Sequence, residues 1–556
     1  MKNLKIYTLL LVSACITFSC DEEDKLINDI LVENPIPVDT GDTGDAGDLD
    51  LSKYIAIGNS LTAGYQDGSL YTNAQQTGFA AMLTERFSVS GVGGGAYGFP
   101  DINSVNGYSS ESDGVVLGKL ILDLDLNNDG ELGDAGIIAA SGEDKRAELY
   151  TGEKELLTNF GVPGIVVGQL QSTATGDATN TAHPYFNPYY MRFASEVDGT
   201  ATILGDAIAA TPTFFTFWIG ANDVLGYAAG GGDNADNSVG LTPIGDATTP
   251  GTFTYDYATS LGTLAATGSH GVVINVPPIV IQPLFQAVKY NDLELDEANA
   301  TALNTGLASY NAAVQGLVTA TLLTQAQADV RKVSYAAGNN PFLIEDDNTA
   351  DFPDLGPLWD ILVAADQMSD ADRAALEPYR MCRPIVDGEL VILTASTVIN
   401  TTPAGFPETA LYGLSLPLPD KYTLTGDEVT KIVTQRATIN GTIDGIMAGM
   451  PATIKRLDIQ PLFADLMGLD AATATGLALS ADAIAAADGE LGLVYQGYDY
   501  QPDFSPNGLF SNDAIHPNPR GHGVIANAII ELMNDEFGTN IPMVEVGQQR
   551  ASPFQQ

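Results

Sequence analysis

Basic residues, cysteine and histidine are scarce in this chain. Its 23 lysines and arginines stand against 70 aspartates and glutamates, which gives a formal net charge of −47. So acidic a surface repels phosphate backbones and anionic headgroups, and we therefore expect no nucleic-acid partner. The three cysteines cannot build a disulfide framework, and the four histidines leave few candidates for a general base.

The first twenty residues have the pattern of an export signal. Two lysines precede an apolar run at 6–16, which is too short to cross a membrane as a helix. The run ends in TFSC, which resembles a bacterial lipobox and makes Cys20 the expected lipid anchor to an outer membrane. The acidic DEED that follows resembles the surface-export signal of some lipoproteins. The alternative is an ordinary secretory signal in which Cys20 is incidental.

The remaining cysteines offer no partner for a disulfide. Cys15 falls within the expected signal, so Cys382 is left alone once Cys20 is acylated. A single cysteine without a histidine motif is more often a small buried hydrophobe than a reactive thiol. We interpret Cys382 in that way.

The order of apolar runs predicts an α/β domain over 51–540, between an acidic flexible linker (21–50) and a C-terminal tail (541–556). Runs at 53–58, 214–219 and 271–276 each stop at glycine, proline or polar residues, as buried parallel strands do. Helical spacing is clearest at 296–323 and after Gly523. Strands alternating with such helices predict a three-layer α/β/α sandwich with a central parallel sheet.

Three long glycine-rich or polar stretches interrupt this alternation. They lie near 88–150, 226–255 and 335–425, and strand signals resume after each of them. Insertions into one domain therefore explain the length better than separate domains do. Loops of this kind are where substrate recognition would be expected.

Ser60 follows the first expected strand, in the sequence IGNSLTAGY. A serine in a strand-to-helix turn has an exposed Oγ and a free backbone N–H, at a helix start where negative charge is favoured. Such a position suits an acyl-transfer nucleophile, although a serine that only caps a helix gives the same pattern. The G-x-S-x-G pattern of α/β-hydrolases is lacking around Ser60, so that fold is not indicated.

The segment SNDAIHPN holds Asp513 and His516, three residues apart. A neutral imidazole can accept the serine proton if a carboxylate fixes its tautomer and stabilises the imidazolium that forms. An isolated D-x-x-H is also typical of a capping aspartate beside a surface histidine. The other histidines, His183, His270 and His522, have no carboxylate at this spacing, and we interpret them as structural.

Four segments together resemble, in order, the sequence blocks of the SGNH (GDSL-type) hydrolases, across about residues 51–540. They are GNSL at 58–61, NFGVPG at 159–164, GAND at 220–223 and DAIHP at 513–517. The resemblance implies a flavodoxin-like α/β/α sandwich, with the site at the carboxyl ends of the strands.

The same resemblance implies a role for each matching residue. Ser60 is the expected nucleophile, His516 its base and Asp513 the acid that orients His516. The oxyanion would be met by the N–H groups of Ser60 and Gly164 and by the side-chain amide of Asn222. This chemistry requires no cofactor.

Two details of the match stay open. Asn59 stands where the family usually has aspartate, which puts the fine positioning of the nucleophile in doubt rather than the chemistry. The glycine block contains both Gly161 and Gly164, and either could supply the oxyanion donor.

A second motif, DLNNDG at 125–130, follows the oxygen-ligand spacing of a calcium loop. Asp125, Asn127 and Asp129 would be the ligands. The twelfth position of the loop is Gly136, where an EF-hand requires a bidentate glutamate. A solvated acidic turn is the alternative to a structural calcium site.

The sequence leaves three functions open. The leading one is a lipase or carboxylesterase acting on a lipid-like or small ester. A polysaccharide O-deacetylase would use the same residues, because the fold serves both. A non-catalytic surface binding lipoprotein is the third, and the presence of serine, aspartate, histidine and the oxyanion candidates argues against it.

Overall fold

The computed structural model describes residues 42–126, 136–348, 352–469 and 491–555. The expected export signal, Cys20 and most of the acidic linker lie outside these residues. Among the helices of the described residues, none has the length and apolar character needed to cross a membrane.

A five-stranded parallel sheet lies at the centre of the protein. Every residue of the inner strands Tyr54–Gly58 and Phe214–Trp218 is buried, so both faces of the sheet are covered, as the apolar runs predict. The five strands are β1 (Tyr54–Gly58), β2 (Asn159–Gly161), β3 (Phe214–Trp218), β4 (His270–Ile274) and β5 (Ile454–Leu457). Their spatial order is β2-β1-β3-β4-β5, and every neighbouring pair is parallel.

Seven helices follow or cover these strands. They are α1 (Ser60–Ala63), α2 (Phe79–Phe87), α3 (Ile203–Ala209), α4 (Asn222–Ala229), α5 (Phe253–Ala265), α6 (Gly426–Met447) and α7 (Pro519–Phe537). Helix α2 packs on α7, and α6 packs on α4 and α5.

The aromatic side chains of β3 show that these two groups of helices lie on opposite faces. The ring of Phe214 contacts that of Phe87 in α2, with 6.1 Å between centroids. The ring of Phe217 contacts that of Tyr257 in α5, at 5.2 Å. Because side chains alternate along a strand, positions three apart point to opposite faces. The fold is therefore α/β, with helices on both sides of a central parallel sheet.

A second hydrophobic core gathers residues between 288 and 422. The predicted helix at 296–323 is two helices, Glu297–Gly306 and Ala308–Thr319, and its apolar stripe faces this second core rather than the sheet. The insertion predicted at 335–425 therefore begins earlier in the chain. The sequence did not show this, because periodicity indicates which face of a helix is buried but not what covers that face. Cys382 is fully buried here, as interpreted, and burial raises the pKa of its thiol to about 12.

Short elements complete the second core. Its further helices are Gln325–Asp329, Leu355–Ala364 and Asp370–Ala375, with turns of 3-10 helix at Glu377–Tyr379, Leu393–Thr397 and Asp420–Tyr422. Its strands pair antiparallel: Leu293–Leu295 with Gly338–Asn340, Leu343–Glu345 with Cys382–Pro384, and Leu390–Val391 with Thr423–Leu424.

The predicted insertion at 88–150 contains a small sheet. Strand Val115–Asp123 pairs antiparallel with Ser110–Ser112 and Gly136–Ser141 and parallel with Phe554–Gln555. The predicted C-terminal tail thus returns to this sheet, and its apolar side chains at 541, 544 and 546 are buried in the main core. These residues are part of the folded domain.

The remaining short elements belong to the main body. They are the helices Thr72–Gln76, Pro188–Met191, Pro283–Gln286 and Gln460–Leu466, the 3-10 turns Lys154–Leu156, Val167–Leu170, Thr173–Gly176 and Val546–Gln548, and the hairpin Leu493–Tyr495 with Tyr498–Tyr500.

Candidate active site

Ser60 lies at the carboxyl edge of the sheet, where β1 passes directly into α1. The strand ends at Gly58, where a Cβ atom would approach the carbonyl oxygen of Trp218 to 2.3 Å, so only glycine fits. Asn59 is buried, and its Oδ1 accepts a hydrogen bond from Leu61 N at 3.1 Å, which caps the short helix. A neutral amide at this position therefore supports the turn that presents Ser60.

Asp513 and His516 come from one closed loop that precedes α7. Ser511 N donates to His516 O at 2.7 Å and closes the loop upon itself. Ala514 within it adopts φ 63°, a left-handed conformation that is uncommon for a residue with a Cβ. The loop is thus held in one specific shape, with the carboxylate and the imidazole on the same side.

The three side chains form an unbroken hydrogen-bonded relay. His516 Nε2 lies 2.8 Å from Ser60 Oγ, and His516 Nδ1 lies 2.8 Å from Asp513 Oδ2. An ionised carboxylate only accepts hydrogen bonds, so Nδ1 carries the ring proton and Nε2 is free to accept one from the serine. The structure brings together the three residues that the sequence singled out as nucleophile, base and acid.

Asp513 is held as an anion by its surroundings. Burial of the carboxyl opposes ionisation, but the electrostatic interaction with His516 and several hydrogen bonds outweigh it and hold the pKa at about 2. Oδ1 accepts from the backbone N–H groups of Ile515 and His516, both at 2.9 Å, and from Ser511 Oγ at 3.0 Å. Oδ2 accepts from Gly68 N at 2.9 Å in addition to the imidazole.

Gly68 belongs to a tight turn that the sequence reading did not connect with the site. Asp67 and Gly68 both have positive φ, 53° and 72°, and Gln66 and Ser69 exchange two backbone hydrogen bonds around them. This is the geometry of a two-residue β-turn, for which Asp-Gly is a strong local signal. The dipeptide predicts the turn, but only the fold shows that its N–H faces Asp513.

Asp67 itself is a second buried carboxyl behind the relay. Its Oδ1 accepts from Asn512 N at 2.9 Å, and its Oδ2 accepts from the Tyr71 hydroxyl at 2.7 Å. Its backbone N donates to Ser511 Oγ, which in turn donates to Asp513. Burial raises the pKa of Asp67 to about 7. Asp67 therefore joins the turn at 66–69 to the loop at 511–516.

The structure distinguishes the two glycines that the sequence left open as oxyanion donors. Gly164 is exposed, has φ 80°, and has no atom within 4 Å of where a Cβ would lie. Gly161, the alternative, donates its N–H to Asn159 Oδ1 at 2.8 Å and would clash with α1 if it carried a Cβ. The N–H of Gly161 is thus already engaged within the fold, and the geometry favours Gly164.

Asn222 and Asp223 fix the loop that carries Gly164. Asn222 Nδ2 donates to Ile165 O at 2.9 Å, which leaves its second amide proton for another acceptor. Asp223 is buried, accepts from Val167 N at 3.1 Å, and has its pKa raised to about 7 chiefly by burial. The sequence assigned no role to Asp223, which anchors this loop to α4.

The other three histidines have partners outside the relay. The ring of His522 is buried against Phe79, whose N–H donates to its Nδ1 at 3.3 Å, and burial lowers its pKa to about 3. His183 accepts from Tyr185 N, and His270 packs on Phe537.

The ring of Tyr65, for which the sequence indicated no role, packs against His516. The ring of Tyr65 lies 5.0 Å from that of His516, measured between centroids. Its hydroxyl donates to the carbonyl oxygen of Gly68. Tyr65 thus packs against the imidazole while bonded to the turn that supports Asp513.

The calcium motif is only partly described by the structure. Asn127 and Asp129 lie outside the described residues, and the N–H of Asp125 donates to Asp123 Oδ1 at 3.1 Å. Within the described ranges, no group of three or more histidine, cysteine, aspartate or glutamate side chains could hold a metal ion. Calcium at Asp125 stays a prediction.

The site as a whole offers a serine hydroxyl, an imidazole of defined tautomer and a fixed carboxylate. Comparison with protein-family models, with curated proteins and with solved structures gave no match.

Proposed function

We propose that this protein is a serine ester hydrolase of the SGNH type, which forms an acyl-enzyme on Ser60. The observation that carries the proposal is the relay from Ser60 Oγ through His516 to Asp513, with both hydrogen bonds at 2.8 Å. Nucleophile, base and orienting carboxylate in this geometry are the requirements for acyl transfer. The strand order is that of flavodoxin-like sheets, whose ligands bind at the carboxyl ends of the strands, where Ser60 lies.

The reaction follows from these positions. Ser60 Oγ attacks the ester carbonyl carbon while its proton passes to His516 Nε2, and the imidazolium is stabilised by Asp513. The carbonyl oxygen becomes an oxyanion that accepts hydrogen bonds from the N–H groups of Ser60 and Gly164 and from Asn222. His516 then protonates the departing alkoxide, and water attacks the acyl-enzyme by the same route to release the acid.

The location in the cell is part of the proposal. A lipid on Cys20 would attach the protein to a bacterial outer membrane, and the acidic segment at 21–50 would separate the membrane from the domain. Ester substrates and the membrane are then its partners.

The decisive test is covalent labelling with a fluorophosphonate. Wild type is expected to label and Ser60→Ala to lose the label. Ser334→Ala, which removes an exposed serine between Val333 and Tyr335, should label like wild type. Labelling of Ser60→Ala at the wild-type rate would remove Ser60 from its role. Absence of labelling in wild type would favour a non-catalytic binding protein.

The substrate class needs a separate assay. A series of p-nitrophenyl esters of increasing chain length, run beside acetylated xylan, separates a lipase or carboxylesterase from a polysaccharide O-deacetylase. Turnover that rises with acyl length supports the former. Release of acetate from xylan, with no turnover of longer esters, would support the latter.

A further inference from the structure

A cavity of about 810 Å³ is lined by segments that are hydrogen-bonded to the region of the loop that carries Asp513 and His516. Its volume falls within the range of about 300–1,000 Å³ that is typical of small-molecule sites. Its walls are predominantly apolar and include residues of both hydrophobic cores, namely Phe285, Leu390 and Met467 of the main core and Val288 and Tyr290 of the second.

Two walls of this cavity are hydrogen-bonded to the loop at 511–516, and another is hydrogen-bonded to the residue that precedes this loop. Pro283 and Phe285 line it, and Leu284 between them donates its N–H to Ala514 O at 2.9 Å. The lining residue Asp503 accepts from Phe510 N through its carbonyl oxygen, at 3.0 Å. A molecule in the cavity would therefore touch the elements that position the loop.

The third wall is the strand that contains Leu122. The carbonyl oxygen of Leu120, two residues earlier, accepts from Asn512 Nδ2 at 3.0 Å. The same Nδ2 donates to Pro553 O at 2.8 Å, and Pro553 O also accepts from Leu122 N. This wall comes from the insertion at 88–150, which is thus part of the surroundings of the site.

The charges at the cavity select against an anionic ligand. Three of its four charged lining residues are acidic, namely Asp387, Glu389 and Asp503, and Lys289 is the fourth. Glu389 is neutralised by two hydrogen bonds from Arg383, at 2.6 and 2.7 Å. The carboxylate of Asp503 and the net charge of −47 disfavour a free fatty acid relative to an uncharged molecule of the same length.

We infer that this cavity binds the hydrocarbon chain of an uncharged long-chain acyl compound. The chain either belongs to the ester that Ser60 attacks or comes from a separate neutral lipid that acts on the loop. In both cases the chemistry recognised is the same, an extended apolar chain without a charged head. The inference concerns binding and does not require that the proposed hydrolysis takes place.

Isothermal titration calorimetry with two alkyl glycerol ethers tests this binding, because the ethers contain no scissile ester. Below their micellar concentrations, 1-O-octylglycerol and 1-O-decylglycerol are expected to bind saturably, with the decyl ether about tenfold tighter. Each methylene moved from water into an apolar site contributes roughly a three- to fourfold gain in affinity. A negative heat-capacity change is expected, since apolar surface is buried. Decanoate should bind more weakly than the decyl ether.

Two variants place the ligand in the cavity. Ala287→Trp and Ser505→Trp fill it from lining positions that are exposed and half-buried, so the fold should be retained, as thermal melting will check. Each variant is expected to lower the affinity for the decyl ether at least tenfold. Ala371→Trp adds the same side chain at an exposed helix position outside the cavity and should bind like wild type.

Three results would overturn the inference: no saturable binding of either ether, equal affinities for the octyl and decyl ethers, or wild-type affinity in both folded cavity variants. Binding of decanoate as tight as that of the decyl ether would overturn the assignment of an uncharged ligand.

Kinetics identifies the source of the chain. If the decyl ether competes with p-nitrophenyl decanoate and does not change the turnover of p-nitrophenyl acetate, the cavity holds the acyl chain of the substrate. If it changes the turnover of the acetate ester without competing, a separate lipid acts through the loop. Wild type that turns over neither ester would refute the proposed hydrolase and leave the calorimetric result standing.

Discussion

Asp67→Asn is expected to stabilise the protein above neutral pH while leaving the relay in place. An asparagine keeps the two contacts of the protonated carboxyl, because its Oδ1 can accept from Asn512 N and its Nδ2 can donate to the Tyr71 hydroxyl. Gly68 N and Ser511 Oγ still donate to the relay carboxylate. The variant therefore removes a buried charge and little else.

The magnitude follows from the pKa of Asp67, which burial raises to about 7. In an unfolded chain the same carboxyl has a pKa of about 3.9. A carboxyl whose pKa is raised on folding makes its full contribution to stability below the pKa that it has in the unfolded chain. This contribution is lost as the pH rises to the pKa that it has in the folded protein. The interval of about three pH units corresponds to about 4 kcal/mol, by which the free energy of unfolding of the wild type falls between pH 4 and pH 7.

Urea unfolding of wild type and Asp67→Asn at pH values from 4 to 9 measures this difference. The free energy of unfolding of the variant should exceed that of wild type by an amount that grows between pH 4 and pH 7 and is then constant. Asp113→Asn, at an exposed turn, is the matched control and should show no such trend. A difference between Asp67→Asn and wild type that does not change with pH would refute the reasoning, as would a loss of ester turnover greater than about tenfold in the folded variant.

Three further outcomes are expected. Asp513→Asn should lower kcat by about 10⁴, because the wrong imidazole tautomer is favoured; its unfolding free energy should also lack the fall that wild type shows from pH 4 to pH 2, since the pKa of Asp513 is lowered to about 2. Asn222→Ala should lower kcat by about a hundredfold with KM almost unchanged, since an oxyanion donor acts mainly in the transition state, and a raised KM at wild-type kcat would assign Asn222 to ground-state binding. Cys20→Ser should move the protein from the membrane fraction to the soluble fraction in cell fractionation, and a variant that still partitions into detergent would contradict the anchor.

The central strands of the sheet were predictable because burial on both faces leaves a continuous apolar run. Strands β1, β3 and β4 coincide with the runs at 53–58, 214–219 and 271–276. Strand β2 has only three residues, and β5 reads Ile-Lys-Arg-Leu at the edge of the sheet, with its last three residues half-buried. Neither has the length or the apolar character by which a buried strand is recognised.

The residues of the candidate site were predictable from local patterns, but their support was not. Ser60, Asp513 and His516 stand in two of the four short segments that together resemble the SGNH blocks. Gly68 donates to Asp513 across 445 positions of sequence, and no local pattern reports such a contact. For the same reason, the apolar stripe at 296–323 correctly predicted helical structure but did not show that it packs in the second core rather than on the sheet.

The distance along the chain between the partners of the relay has a consequence for biosynthesis. Ser60 and His516 are separated by 456 positions, and α7, which packs on α2, follows His516 directly. During synthesis, the serine emerges long before its base and before the helix that covers that face of the sheet. Contacts of such long range form late and slowly in folding. The nascent chain therefore carries an unactivated serine until the segment that contains His516 has been made and has folded onto the sheet, and the proposed hydrolysis can begin only after that step.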